Sequence, residues 1–126
     1  MTLYQSRAST TLADNTTKTL DLTVPQGKKW KIHAIMMHNG DNVTRNLTAK
    51  VVDTSGNTLM NLATYDAGAG AEVTLIPYLS NAETPYPGAV TILIKGGNKL
   101  RLIWVAGGAS SGGTAYYCIT YEEVPE

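Results

Sequence analysis

Residues 107–123 read GGASSGGTAYYCITYEE, and the fold class turns on how they are read. The first eight fit the phosphate-binding form G-x-x-x-x-G-K-[S/T] at Gly107, Gly112 and Thr114, with Gly113 where the lysine belongs. Such a loop follows a strand and opens a helix, because the helix N-terminus and the lysine together hold the phosphate charge. The first condition is met, since Leu100–Val105 alternates as a strand. The second is not. Tyr116, Cys118 and Thr120 alternate with Ala115, Tyr117, Ile119 and Tyr121 in a β-rich stretch, so another strand follows. The glycines then belong to a connection between the last two strands, where they ease tight turns or let a neighbouring chain approach the backbone. No nucleotide site is expected.

Working outward, the same period-two pattern recurs along the chain, cut by Gly, Pro and Asn every ten or so residues. Strands are expected near residues 17–24, 29–38, 44–53, 58–63, 71–78, 90–94, 99–105 and 114–122. In the first, Leu20, Leu22 and Val24 share a face. In the second, Trp30, Ile32, Ala34 and Met36 oppose Lys29, Lys31, His33 and Ile35. The clearest hairpin signal is D-T-S-G-N at Asp53–Asn57, and Gly96-Gly97-Asn98 marks another. Asp66–Gly70 and the two-proline stretch at 79–88 are expected loops. Residues 1–16 are expected to be a polar N-terminal arm, loose or laid on a neighbour, ahead of a single domain at 17–126. Tight hairpins alternating with long loops suit strands shared between two packed sheets. The fold class is therefore all-β, an eight-stranded jelly-roll β-sandwich, with an immunoglobulin-like sandwich as the alternative. The single cysteine leaves no Cys…Trp…Cys pattern for the latter.

Composition narrows the function. The chain has 126 residues, one domain's worth, with ten basic and ten acidic side chains and net charge zero. That balance argues against a protein drawn to nucleic acid or anionic lipid by long-range attraction. Seven Lys/Arg against four Asp/Glu lie in residues 1–63, and three against six in the rest. Lys28, Lys29 and Lys31 form the basic cluster, without the interleaved aromatics that single-strand binders need, so a solvated edge or an inter-subunit salt contact is expected. No apolar run reaches the roughly 18 residues of a membrane span. The first ten residues contain no apolar export core, so no signal peptide is expected, and the N-x-T triplets at Asn15, Asn42 and Asn46 are read as chance.

No catalytic, cofactor or metal residues emerge. His33 and His38, five positions apart on one strand, are expected on opposite faces without a carboxylate at ligand spacing. Cys118, mid-strand, reads as a small buried apolar residue. Glu122 and Glu123 are adjacent and face opposite sides, so they cannot act as a carboxylate pair. Trp30 and Trp104 share faces with Ile and Leu and are expected in the core. Tyr65, Tyr78 and Tyr86, in or beside expected loops, are the candidate contact residues together with the three lysines.

VPQGKKWKI (Val24–Ile32), KVVDTSGNTL (Lys50–Leu59), PYPG (Pro85–Gly88), GGNKLRLIW (Gly96–Trp104) and the closing YCITYEEV (Tyr117–Val124) together resemble the small jelly-roll structural proteins of tailed bacteriophage virions. The resemblance spans about residues 20–124 and rests on turn-and-strand motifs. It implies a non-enzymatic virion protein, a capsid decoration or cement protein that binds the phage head. The partners it implies are the major capsid protein or other virion proteins, and a homo-oligomer with a trimer favoured. It also implies synthesis in the host cytoplasm and a place on the capsid surface. Head-to-tail connectors and tail or fibre modules are alternatives within that class. A carbohydrate- or receptor-binding β-sandwich is the alternative outside it.

Overall fold

The computed structural model describes residues 2–76, 92–108 and 112–126. Among these, alternating side chains lay down nine strands: β1 (Leu3–Leu12), β2 (Lys18–Thr23), β3 (Lys28–His38), β4 (Arg45–Val52), β5 (Thr58–Ala67), β6 (Glu72–Ile76), β7 (Ile92–Lys95), β8 (Lys99–Trp104) and β9 (Gly113–Pro125). Their pairing is that of one long antiparallel ribbon: β1 with β9, β2 with β8, β3 with β6 and β4 with β5. Wrapping the ribbon on itself sets β9 beside β3 and β8 beside β4. Two sheets result, β1-β9-β3-β6 and β2-β8-β4-β5, with β7 added to β3 in the first. This strand order is a jelly roll.

The expected fold class therefore holds, and the described residues form nine strands where eight were expected. The added element is β1. The segment read as a polar arm, loose or laid on a neighbour, lies antiparallel to β9 of its own chain over ten residue pairs, from Leu3↔Glu122 to Leu12↔Gly113. Its polar side chains hid it, because an edge strand satisfies its backbone on a neighbour without needing an apolar face. A second correction concerns Gly96-Gly97-Asn98. β7 and β8 belong to different sheets, so the turn crosses between them and does not close a hairpin. Val24 holds it there, accepting from the Gly97 amide at 2.8 Å and donating to the Asn98 carbonyl at 3.0 Å.

The Asp53–Asn57 hairpin forms as read. The Asp53 carboxylate accepts the amides of Ser55 and Asn57, each at 2.9 Å, and Gly56 takes φ +88°, where a side chain would be strained. β5 then continues to Ala67, past the expected end at residue 63.

The core is filled by the four central strands: Leu100, Leu102 and Trp104 from β8, Leu47 and Ala49 from β4, Ile35 and Met37 from β3, and Ile119 from β9, all fully buried. Both tryptophans are core residues, as expected, and the Trp104 indole donates to the His38 carbonyl at 2.9 Å. β3 breaks the simple alternation. Trp30 and Ile32 point in, but so do Ile35 and Met37, because the register against β9 shifts between Ile32 and Ala34. This β-bulge puts Ala34 and Met36 on the outer face, reversing their expected placement.

A candidate interaction face on the outer side of the first sheet

The outer face of the β1-β9-β3-β6 sheet follows from the registers. Row by row it carries Leu3, Glu122, Lys31 and Leu93, then Gln5, Thr120 and Ala34, then Arg7, Cys118, Met36 and Thr74, and last Ser9 and Tyr116 near His38 and Glu72. Leu3 and Leu93, at opposite ends of the first row, are each about half exposed (51% and 50%). Between them Glu122 accepts from His33 at 2.7 Å and meets Lys31 at 3.9 Å. The bulge therefore supplies a carboxylate partner to His33 and puts both histidines on the outer face, against the expectation of opposite faces.

The lower half of the face holds a groove of about 450 Å³, bounded by Arg7, Ser9, Met36, Glu72, Tyr116 and Cys118. Within it Cys118 lies between its register partners, Arg7 of β1 and Met36 of β3. The Tyr116 hydroxyl donates to Glu72 at 2.7 Å, and its ring stacks on His38 with centroids 4.2 Å apart. That hydrogen bond to a carboxylate is the main reason the Tyr116 phenol titrates above its ordinary range. Cys118 is half-buried and lines the groove, not fully buried as the sequence suggested, because Tyr117 and Ile119 take the inward positions of β9.

At the β1 edge the inner face opens. Trp30, Tyr121 and Tyr4 form a chain of rings, with centroids 4.2 Å apart for Trp30–Tyr121 and 5.8 Å for Tyr121–Tyr4, running from the core to solvent. The Trp30 indole donates to Glu123 at 3.0 Å, while Glu122 serves the other face, so the two glutamates are separated by the sheet as expected. Burial is the main cause holding the Tyr121 phenol above its usual range.

The structure describes four of the six expected contact residues. Tyr65 lies inside β5, opposite Leu47, and is half-buried against the core, so it is not a loop residue. Tyr78 and Tyr86 lie outside the described residues. Lys29 and Lys31 point outward from β3, with Lys95 opposite Lys29, while Lys28 is exposed at the strand's start. Tyr4, Tyr116 and Tyr121 were missed as surface aromatics. Their exposure depends on which strand covers them, and period-two patterning does not encode that.

Sequence reading also missed a buried polar cluster: Asn39, Asp41 and Arg45, at 0%, 2% and 1% exposure. Arg45 donates to Asp41 at 2.9 Å, to the Ala13 carbonyl at 2.7 Å and to the Thr16 carbonyl at 2.8 Å. Asn39 donates to the carbonyls of Val43 and Ala67, each at 2.9 Å. The cluster ties the β1–β2, β3–β4 and β5–β6 connections together at one end of the sandwich. Gly107 and Gly113, at the two ends of the glycine-rich stretch, serve the same end. A side chain at Gly113 would collide with the Gly40 carbonyl, and one at Gly107 with Val43. The close approach is thus made within the chain. β9 begins at Gly113, so no helix follows the glycines.

Among the described residues no cluster of three or more His, Cys, Asp or Glu side chains could hold a metal ion, and no helix is long and apolar enough to cross a membrane. No protein-family model matches the chain, and no curated protein matches it. Among solved structures, it is similar to one described as "Structure of infectious bursal disease virus Gx strain". The identity is 14% and the TM-score 0.40, over 96% of this chain. This chain spans 37% of the length of that one.

Proposed function

We propose that this protein is a non-enzymatic structural component of a virus particle, a capsid decoration protein that binds and stabilises the head of a tailed bacteriophage. The observation that carries the reading is where the chemistry-bearing side chains went. The tryptophans are spent on the core, the buried charges on tying connections together, and the histidines and Glu122 on cross-strand contacts. What remains is a stiff jelly roll with a broad, mixed outer face, suited to holding neighbours. The likeness of the turn motifs at 24–32, 50–59 and 96–104 to small phage jelly-roll proteins supports the same class. Lys29, Lys31 and Lys95 offer a cationic strip to an acidic patch of the major capsid protein or another virion protein. Binding as a homo-oligomer, with three copies favoured, would let weak single contacts add through multivalency. The same class includes connectors and tail or fibre modules.

The test is localisation by electron cryomicroscopy of particles made with and without the protein. Density on the head that vanishes in its absence is expected. Density only at the neck or tail would replace decoration with connection, and purified particles lacking the protein would end the virion reading. A glycan-binding role is the second reading, favoured by the groove with its Tyr116 ring and its Glu72, Arg7 and Ser9 polar groups. It predicts saturable binding in a glycan screen that Tyr116→Ala removes.

A further inference from the structure

Strand β1 is held to the molecule almost entirely by its backbone. Of its ten residues only Leu12 is buried, and Ser6 and Thr10 are half-buried. Among the described residues its side-chain contacts are few: Leu12 joins the core, the Ser6 hydroxyl lies 3.4 Å from that of Tyr117, and Tyr4 stacks on Tyr121 while remaining 45% exposed. Among the described residues no strand pairs with the far edge of β1. That edge has one charge, Arg7, and no proline, so it lacks the usual features that discourage strand pairing. The partner strand, by contrast, is central. β9 runs between β1 and β3 and puts Ala115, Tyr117 and Ile119 into the core.

Apart from Leu12, which is buried in the core, these β1 contacts are to β9, and every copy of the chain presents the same β9. Moving β1 from its own β9 to that of another copy breaks and remakes the same ladder, in the same register, around the same inward residues. The difference in free energy then reduces to the tether. In one chain, β1 sees its β9 at an effective concentration on the order of millimolar. Copies packed side by side reach comparable local concentrations. The point of departure is also set. Arg45, fully buried, grips the carbonyls of Ala13 and Thr16, so the chain from Ala13 onward stays in place when β1 leaves.

We infer that β1 is an exchangeable strand, which pairs with β9 of a second copy of this chain when copies are crowded, the hinge lying between Leu12 and Ala13. Such a swap links copies without any new complementary surface. It does not depend on the virion reading, and its test needs no particle.

The test uses the register. Residue 7 lies directly opposite Cys118, the chain's single cysteine. Directly opposed strand residues have Cα atoms roughly 4.5–5.5 Å apart, which a disulfide spans. A chain carrying Arg7→Cys and Cys118→Ser is mixed with the natural chain at about 1 mM, the tether's effective concentration, incubated, and treated with diamide. Diamide takes up the two electrons and two protons of the paired thiols. No chain in the mixture contains both cysteines, so any bond between positions 7 and 118 joins two chains. A Lys50→Cys, Cys118→Ser chain, with its thiol on the outer face of the other sheet, measures random collision. The bonded 7–118 pair is expected at roughly tenfold or more above that control and should fall away on dilution, as exchange governed by local concentration requires. Equal yields would overturn the inference. The single Arg7→Cys variant, which keeps Cys118, checks folding: its intrachain bond at low concentration shows β1 seated in register. If that variant also yields only intrachain bonds at high concentration, exchange is excluded.

Discussion

Arg45 shows how a single side chain can organise one end of a sandwich. Its guanidinium fans out to the Asp41 carboxylate and two carbonyls of the β1–β2 connection, with no exposure to water. Planar, divided donors suit arginine to that task, and lysine could not serve three partners in this geometry. Removing the guanidinium leaves Asp41 buried and charged. Arg45→Ala is therefore expected to cost about 3–5 kcal/mol, the penalty for breaking a buried ion pair, read as a lower urea midpoint in equilibrium unfolding. Arg45→Lys should recover only part of it. A loss under 1 kcal/mol for Arg45→Ala, within the range of exposed pairs, would show that water reaches the site. None of this was legible in the sequence. Asn39 and Asp41 fell there between two expected strands and Arg45 near the start of the second of them, because burial of a loop end depends on which other connections fold over it.

At the scale of elements, alternation found most of the strands and failed where it was locally broken. Leu20 and Leu22 of β2, Leu100, Leu102 and Trp104 of β8, and Tyr117 and Ile119 of β9 face as their spacing demands. β3 misled because a bulge costs one residue and leaves no mark in composition. β1 misled because its side chains are polar on both faces. The bulge sits between the part of β3 that pairs with β7, Lys29–Ile32, and the part that pairs with β6, Ile35–His38. It turns one strand so that it serves two neighbours in succession. Deleting His33 preserves the inward positions on both sides, since Ile32, Ala34 and Ile35 then alternate directly. That deletion should leave a folded protein weakened by about 1–2 kcal/mol, the range of ordinary local damage. Deleting Ile103 from the regular β8 would instead turn either Leu102 or Trp104 outward, and no cooperative melt is expected. Circular dichroism melts of the two deletions make the comparison. A cooperative Ile103 deletion would contradict the assigned register.

For the whole molecule, acid should be the weak side. The Asp21 carboxyl is held below its ordinary value of 3.8, chiefly by its hydrogen bonds from Arg101 at 2.7 and 2.9 Å. Asp53 is lowered too, first by the Asn57 amide. A depressed carboxylate stabilises the fold wherever the unfolded group would also be ionised, and that contribution is lost as pH falls through the folded value. Tm should thus be level through neutral pH and decline below about pH 4, where unfolded carboxylates begin to take up protons. Asp21→Asn should flatten part of that decline. Its effect at neutral pH should be under about 1 kcal/mol, because the pair is partly solvated. An unchanged acid slope in Asp21→Asn would assign the loss elsewhere.

The ribbon also orders events in time. β9 is translated after every strand it touches, yet it sits between β1 and β3 and completes the first sheet. At roughly 5–20 residues per second, β1 and β3 emerge from the ribosome seconds before the strand that separates them exists. During that interval β1 has no native strand partner among the described residues of its own chain. A β9 from a copy made on the same message presents the same register to it, so synthesis is a setting in which the strand exchange inferred above would operate.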